Sequence, residues 1–224
     1  MASTPTTASP RIRAFPLGET ETNAYLVEVP GTPRRCWVVD PGVDPTPIIE
    51  AIRTEGLEVE AIILTHAHYD HIAGVDALEA AIGRRRLLLH HAEHAFCSDP
   101  RLNLSVYREE PILCRAPDEA IEEGATLRLG ETSWRALHVP GHSPGSVMLV
   151  EDRLKVALVG DLVFAGSIGR VDFPTSDPRA MEASLGRLLA EVADDVRLLP
   201  GHGPTTTLGE ERRRNPFLRP GALR

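Results

Sequence analysis

Ala61-Ile62-Ile63-Leu64-Thr65-His66-Ala67-His68-Tyr69-Asp70-His71-Ile72-Ala73-Gly74 is the stretch whose reading decides this chain. Four apolar residues make a short buried strand, and a turn opens at Thr65. Three histidines and an aspartate follow at once. His66, His68 and Asp70 are spaced by two, so an extended loop projects them to one side, and His71 opens a helix. These groups cannot all face one point. Imidazole suits zinc and iron, and a carboxylate oxygen suits any hard divalent metal. The cluster therefore supplies two adjacent metal positions, one chelated by His66 and His68, the other approached by Asp70 and His71. The bland alternative, three histidines buried as packing, is unfavourable without partners.

Working outward, the chain alternates strands and helices in two halves. Upstream, residues 23–29 and 36–39 are β-rich and flank a Pro30-Gly31 turn, which predicts a hairpin. Asp40-Pro41-Gly42 breaks the second strand, and residues 48–52 carry helical spacing. Downstream, Ile72, Val75, Leu78 and Ile82 predict one helix ended by Gly83, and residues 87–89 a further strand. Residues 98–118, with Pro100, Pro111 and Pro117, read as a long irregular excursion, a kind of segment more often functional or mobile than structural. The second half restarts with strands at 126–129, 133–139, 146–150 and 155–159. A helix is expected over 178–192, with Met181, Leu185, Leu188 and Leu189 on its apolar face, and a last strand over 196–199. No sequence repeat is present, but the halves match in layout. Two mixed sheets with helices outside fit this order.

Composition narrows the class. The 224 residues are 42% hydrophobic and 25% charged, which suits one globular domain over residues 11–224. Residues 1–10, rich in Ser, Thr and Pro, read as a flexible leader without the apolar core of a secretory signal. The net charge of −8 argues against a nucleic-acid partner, which needs a basic footprint. The runs Arg84–Arg86 and Arg212–Arg214 read as solvated faces. Three cysteines without CxxC spacing argue for a reducing compartment. No run approaches the ~20 apolar residues of a membrane span. A cytoplasmic protein acting on a small molecule is the expectation, with no membrane partner.

Four ligands do not complete two metal sites, and the chain offers three more, each at a strand end before a turn. His142 stands in Val139-Pro140-Gly141-His142-Ser143-Pro144-Gly145, Asp161 follows the apolar run 156–160, and His202 stands in Leu199-Pro200-Gly201-His202-Gly203-Pro204. Glycine and proline on either side let the backbone turn tightly there. Seven ligands with one bridging carboxylate fill two sites and leave room for a water. Of the remaining histidines, His90, His91 and His94 read as solvated or capping, with Glu93 the sole carboxylate beside the His90–His94 pair. His138 reads as a core residue or as support for a ligand. Tyr69 and Phe164 are candidates to line the pocket, and Tyr107 and Arg108 in the irregular excursion are candidates to contact substrate.

These motifs resemble the metallo-β-lactamase fold superfamily. Asp40-Pro41-Gly42, the run Phe164 to Phe173, Pro200-Gly201-His202-Gly203-Pro204 and the segment 211–218 resemble, more narrowly, its glyoxalase II (hydroxyacylglutathione hydrolase) group. The likeness spans roughly residues 12–218. It implies an α/β fold, an αβ/βα four-layer sandwich of two mixed sheets with the site at the sheet edges. It also implies one metal on His66, His68 and His142, a second on Asp70, His71 and His202, and Asp161 bridging them. Zinc is the first expectation, and iron and manganese suit the same ligands. The implied reaction is hydrolysis of a thioester such as an S-acylglutathione by a metal-bridging hydroxide, with Asp70 and Asp161 the catalytic carboxylates. Asp161 stands where zinc β-lactamases carry a cysteine, which argues against an antibiotic hydrolase.

Two departures matter. The chain runs only from His202 to Arg224 where full-length glyoxalase II adds a helical glutathione-binding domain, so it resembles the short bacterial branch. The tyrosines that touch glutathione in that group are replaced by Val171 and Asp172, while Arg170 keeps a basic residue. Arg170 and Asp172 thus join Tyr69 and Phe164 as candidate substrate contacts. The nearest rival is a persulfide dioxygenase, which resembles the same fold and would use a single iron on His66, His142 and Asp161. A nuclease of the same fold is disfavoured by the acidic balance.

Overall fold

The computed structural model describes residues 10–31, 33–219 and 222, so the leader expected over 1–10 lies, Pro10 aside, outside them. In the first half come β1 (Arg11–Leu17), β2 (Thr22–Val29), β3 (Arg35–Val39), α1 (Thr46–Glu55), β4 (Glu58–Ile63), α2 (Tyr69–Ile72), α3 (Val75–Ile82), β5 (Arg86–Leu89) and β6 (Glu119–Ala120). The six strands form one sheet in sequence order, antiparallel from β1 to β3 and parallel from β3 to β6. The second half contributes β7 (Thr126–Leu129), β8 (Thr132–His138), β9 (Val147–Glu151), β10 (Val156–Gly160), the small hairpin β11 (Val163–Phe164) and β12 (Ser167–Ile168), α4 (Pro178–Glu191), β13 (Arg197–Pro200), β14 (Thr206–Thr207) and α5 (Leu208–Arg214). Its sheet runs β14-β13-β10-β9-β8-β7, with only the β10–β13 pair parallel.

The inner strands β2, β3, β4, β5, β9, β10 and β13 are mostly apolar because both of their faces are covered. Ala24 and Leu26 of β2, Ile62 of β4 and Leu87 and Leu89 of β5 pack outward with Ile48, Ile52, Val75 and Leu78 of α1 and α3. The alternate residues Tyr25, Val27, Ile63 and Leu88 face inward and meet Trp134, Leu149, Leu158 and Leu199 of the second sheet. Ala157, Leu198 and Met148 then pack outward with Met181, Leu185 and Leu188 of α4. Helix, sheet, sheet, helix is the αβ/βα sandwich expected. Trp37 and Trp134 meet across the middle with ring centroids 6.2 Å apart. No helix among the described residues is long and apolar enough to cross a membrane.

Backbone bonds stitch the sheets together along one edge. Val147 N donates to Thr65 O at 2.8 Å and Asn23 N to Gly201 O at 2.7 Å, while within the second sheet Gly201 N donates to Gly160 O at 2.9 Å. Tyr25 Oη, from the first sheet, donates to Pro200 O of the second at 2.7 Å. The turns carrying the histidines and Asp161 therefore meet at this seam.

Two local readings need correction. The single helix expected from Ile72 to Ile82 is two, α2 and α3, joined at Ala73-Gly74. Gly74 lies against the Asp40-Pro41-Gly42 turn so closely that a Cβ there would stand 1.8 Å from Pro41 O. The strand β1 was not evident in the sequence, because Arg11, Arg13 and Pro16 break its apolar pattern. It is an edge strand, where proline costs no ladder bond. The excursion over 98–118 is irregular as expected, yet anchored: buried Asn103 donates through Nδ2 to Phe96 O and Ile112 O, both at 2.9 Å. Gly74→Ala should destabilise the protein by about 3 kcal/mol, the upper end of ordinary overpacking, or more, whereas Ala73→Gly should cost only about 1 kcal/mol or less. Thermal melts of the two variants beside the parent check the contrast.

Candidate metal centre

The loop after β4 is set by a buried aspartate. Asp40, in the left-handed region at φ 51°, accepts from Thr65 N at 2.7 Å and from Thr65 Oγ1 at 2.6 Å. Its Oδ2 also lies 3.0 Å from His71 Nδ1, a charge contact whose alignment is not that of a hydrogen bond, and His71 Nε2 faces the seam. Similar props fix the other rings. His142 Nδ1 meets Arg170 O at 2.9 Å, and His202 Nδ1 meets Thr20 O at 3.0 Å. A carbonyl only accepts, so each Nδ1 carries a proton and each Nε2 points into the site. Thr65 Oγ1, having given its proton to Asp40, does the same for His66 Nδ1 at 3.2 Å.

Three groups of ligand atoms result, each within 4.8 Å of one another: His66, His68 and His142; Asp70, His71 and His202; and His66, His71 and Asp161. His68 Nδ1 and His142 Nε2 are 2.8 Å apart. Asp70 Oδ2 lies 3.3 Å from His202 Nε2 and 3.7 Å from His71 Nε2. Asp161 faces both sets. Its Oδ2 is 3.4 Å from His142 Nε2 and 3.5 Å from His202 Nε2, and its Oδ1 is 3.5 Å from His71 Nε2. Ligand atoms at ~2.1 Å around a tetrahedral cation stand about 3.4 Å apart, close to the separations around Asp70 and Asp161, whereas His68 and His142 stand closer. Gly201 makes this approach possible, since a Cβ there would sit 2.1 Å from Asp161 Oδ1.

His66 Nε2, His71 Nε2 and Asp161 Oδ1 are buried without a hydrogen-bond partner. Orphaned buried groups cost about 1–3 kcal/mol each, and a cation would satisfy all three, so the residues fit metal ions. The electrostatics split the histidines. Burial and neighbouring imidazoles hold His66 well below its ordinary pKa and bring His68 down to about 3, and burial lowers His142. Burial also opposes charge on His71 and His202, but carboxylates outweigh it. Asp70, Asp40 and Asp161 carry His71 up to about 9, and Asp161 with Asp70 carries His202 to about 11. Burial pushes Asp161 upward, yet His71, His202 and His142 hold it down at about 2. Asp70 is likewise held far below the carboxylate range by His71, His202 and the Thr22 hydroxyl, against its burial.

A cavity of about 910 Å³ opens onto this cluster. The four expected substrate contacts, Tyr69, Phe164, Arg170 and Asp172, all line it, and so do Tyr107 and Arg108. Arg170 binds Asp172 through two 2.8 Å contacts and lies 4.4 Å over the Phe173 ring. Arg108 pairs with Glu19 and lies 4.9 Å over the Tyr69 ring. Away from the cavity, His90 Nδ1 accepts from Ala92 N at 3.3 Å as a cap, and His91 pairs with Glu122 at 2.9 Å on the surface. His138 Nε2 donates to Pro144 O at 2.8 Å, supporting the loop that carries His142.

Sequence reasoning missed three supports. Asp40 read only as a strand breaker, though like Asp161 it is a carboxylate at the end of a buried strand, and that signal was available. Glu93 read as an idle neighbour of histidines, and Thr22, whose Oγ1 donates to Asp70 Oδ2 at 2.7 Å, carried no signal at all.

A four-layer sandwich with a histidine–aspartate metal cluster at its sheet seam defines the class, and the comparisons agree. Residues 17–203 match the model of the metallo-β-lactamase superfamily, and the chain belongs to that superfamily. It is 32% identical over 182 residues to the hydroxyacylglutathione hydrolase GloC of Haemophilus influenzae, covering 81% of this chain and 86% of that one. Among solved structures it is similar to the BLEG-1 B3 metallo-β-lactamase, with 35% identity and a TM-score of 0.86 over 93% of this chain and 99% of that one. It is also similar to TTHA1623 in a di-iron-bound form, with 39% identity and a TM-score of 0.80 over 92% of this chain and 99% of that one.

The histidine split has a measurable consequence. His71 and His202 hold protons at neutral pH in the metal-free protein, while His66, His68 and His142 do not. Zinc(II) added at pH 7 should therefore release protons, and the release should shrink as pH rises through about 9. Calorimetry in buffers of different ionisation heat measures it.

Proposed function

We propose that this protein is a dinuclear metal hydrolase of thioesters, of the glyoxalase II kind. The observation that carries the proposal is the convergence of seven ligand side chains on two adjoining positions at the floor of an open cavity. His66, His68 and His142 would hold one divalent cation and Asp70, His71 and His202 the other, with Asp161 shared. Zinc leads for a nitrogen- and oxygen-donor set of this kind, and the likeness to a di-iron-bound structure supports iron as an occupant. Cations so held would bring the pKa of water toward 7 and stabilise the oxyanion of an attacked carbonyl.

The chain's own residues supply the rest. Asp70, fixed by Thr22, orients the attacking water. Phe164, Phe173 and Tyr69 form apolar walls that keep bulk water off the carbonyl. Arg108 and Arg170 stand at the rim, each beside a carboxylate, where they suit a substrate carrying its own charged groups. A thiolate leaves readily, so no strong acid is needed. The likeness to GloC supports a thioester, and the likeness to a B3 lactamase makes β-lactams the substrates to test against it. Three buried free cysteines suit the cytoplasm.

His66→Ala and Asp161→Ala should each lose metal and at least about 100-fold in activity together, beyond the 10–100-fold typical of supporting residues. Metal content is measured with turnover of S-lactoylglutathione, other acyl thioesters and a β-lactam on one metal-loaded preparation. Full activity in a metal-depleted variant would overturn the mechanism. One iron per chain with oxygen uptake on glutathione persulfide would mark a dioxygenase instead.

A further inference from the structure

Glu93 is a fully buried carboxylate that forms no ion pair among the described residues. Its three hydrogen bonds all come from residues close in sequence to the ligands of one set. Oε2 accepts from Ala67 N, the residue between His66 and His68. Oε1 accepts from Gly145 N at 2.7 Å and from the Ser143 hydroxyl, both in the loop of His142. One side chain thus ties the first half of the fold to the second at the His66, His68 and His142 position. The sequence makes room for it: a Cβ at Gly145 would stand 2.9 Å from Glu93 Cγ and 3.2 Å from its Oε1. The other position has supports of its own, Thr22 on Asp70 and Thr20 O on His202, while Asp40 serves both, beside His71 and, through Thr65, beside His66.

We infer that Glu93 is a positioning residue that sets the metal affinity of the His66, His68 and His142 position and leaves the Asp70, His71 and His202 position alone. A carboxylate has only acceptors, so it serves all three donors at once. Glutamine in its place turns one acceptor into an amide NH₂ that faces a donor, and the two loops lose their shared anchor. The inference rests on the dinuclear reading above.

The test is zinc(II) uptake by the full-length protein, followed by equilibrium dialysis with metal analysis, for the parent, Glu93→Gln and Ser143→Ala. Melting of the metal-free forms is recorded beside it. In Glu93→Gln one equivalent should weaken 10–100-fold, as for other residues that orient metal ligands, and the second should bind as in the parent. Ser143→Ala, which removes one donor and keeps the carboxyl group, should weaken the same equivalent less. In a His202→Ala background, Glu93→Gln should weaken the remaining tight equivalent.

Unchanged affinity in Glu93→Gln would overturn the inference. So would equal weakening of both equivalents with a lowered metal-free melting temperature, which marks a purely structural role. If Glu93→Gln does not fold, Ser143→Ala decides, and parent-like affinity there overturns it. A parent that takes up a single equivalent would overturn the dinuclear reading, and the Glu93 inference then predicts the same 10–100-fold loss in that equivalent.

Discussion

Everything in this molecule turns on the packing of four histidines and two aspartates, with His202 partly exposed beside them, into a seam between two sheets. None of the turns that carry them could hold its ligand alone. Thr65 to His71 hangs from Asp40, the Asp161 turn accepts from Gly201 N, and the His202 turn is pinned by Asn23. The first two links lie within one half of the fold, whereas Asn23 on Pro200 and Val147 N on Thr65 O cross between the halves, so the site and the seam form or fail together. The orphaned nitrogen and carboxylate atoms left inside are tolerable because a cation can satisfy several at once.

The charge in the seam is unevenly placed, and that asymmetry gives the two ligand sets different characters. His66, His68 and His142 sit mainly among each other, so burial keeps them neutral and ready to donate lone pairs. His71 and His202 sit among carboxylates and hold protons firmly until something stronger displaces them. Asp161, in contact with His142, His71 and His202, is where the two environments join.

The ligand cluster and the cavity rim come from different parts of the chain. The ligand residues lie on strand ends and turns fixed by the sandwich. The cavity rim comes from the excursion over 98–118 and from the segment after Asp161, where Arg108 with Glu19 and Arg170 with Asp172 form two charged pairs over aromatic rings. Relatives named for a thioester and for a β-lactam share the scaffold, which fits a fold whose reaction partner is chosen at the rim.

Much of this was legible in the sequence because it is local. Spacing by two after a buried strand marks His66 and His68, and glycine–proline turns mark His142 and His202. Asp70, expected on the same extended loop, instead lies with His71 in α2 and joins the other ligand group. Apolar runs such as Ile62 to Leu64 announce strands covered on both faces. What stayed hidden depends on partners far along the chain. β1 looks polar until it is seen as an edge, and the split of α2 from α3 follows from Pro41 pressing on Gly74. Glu93 acts through backbone N–H groups, which have no side-chain identity to read. The sequence by itself determined which side chains can bind metal, since ligand chemistry and chelate spacing are properties of a few consecutive residues. Only the tertiary structure decided which of them share a position, which hold protons and what anchors them, because distance, burial and backbone hydrogen bonds arise when the two halves close on each other.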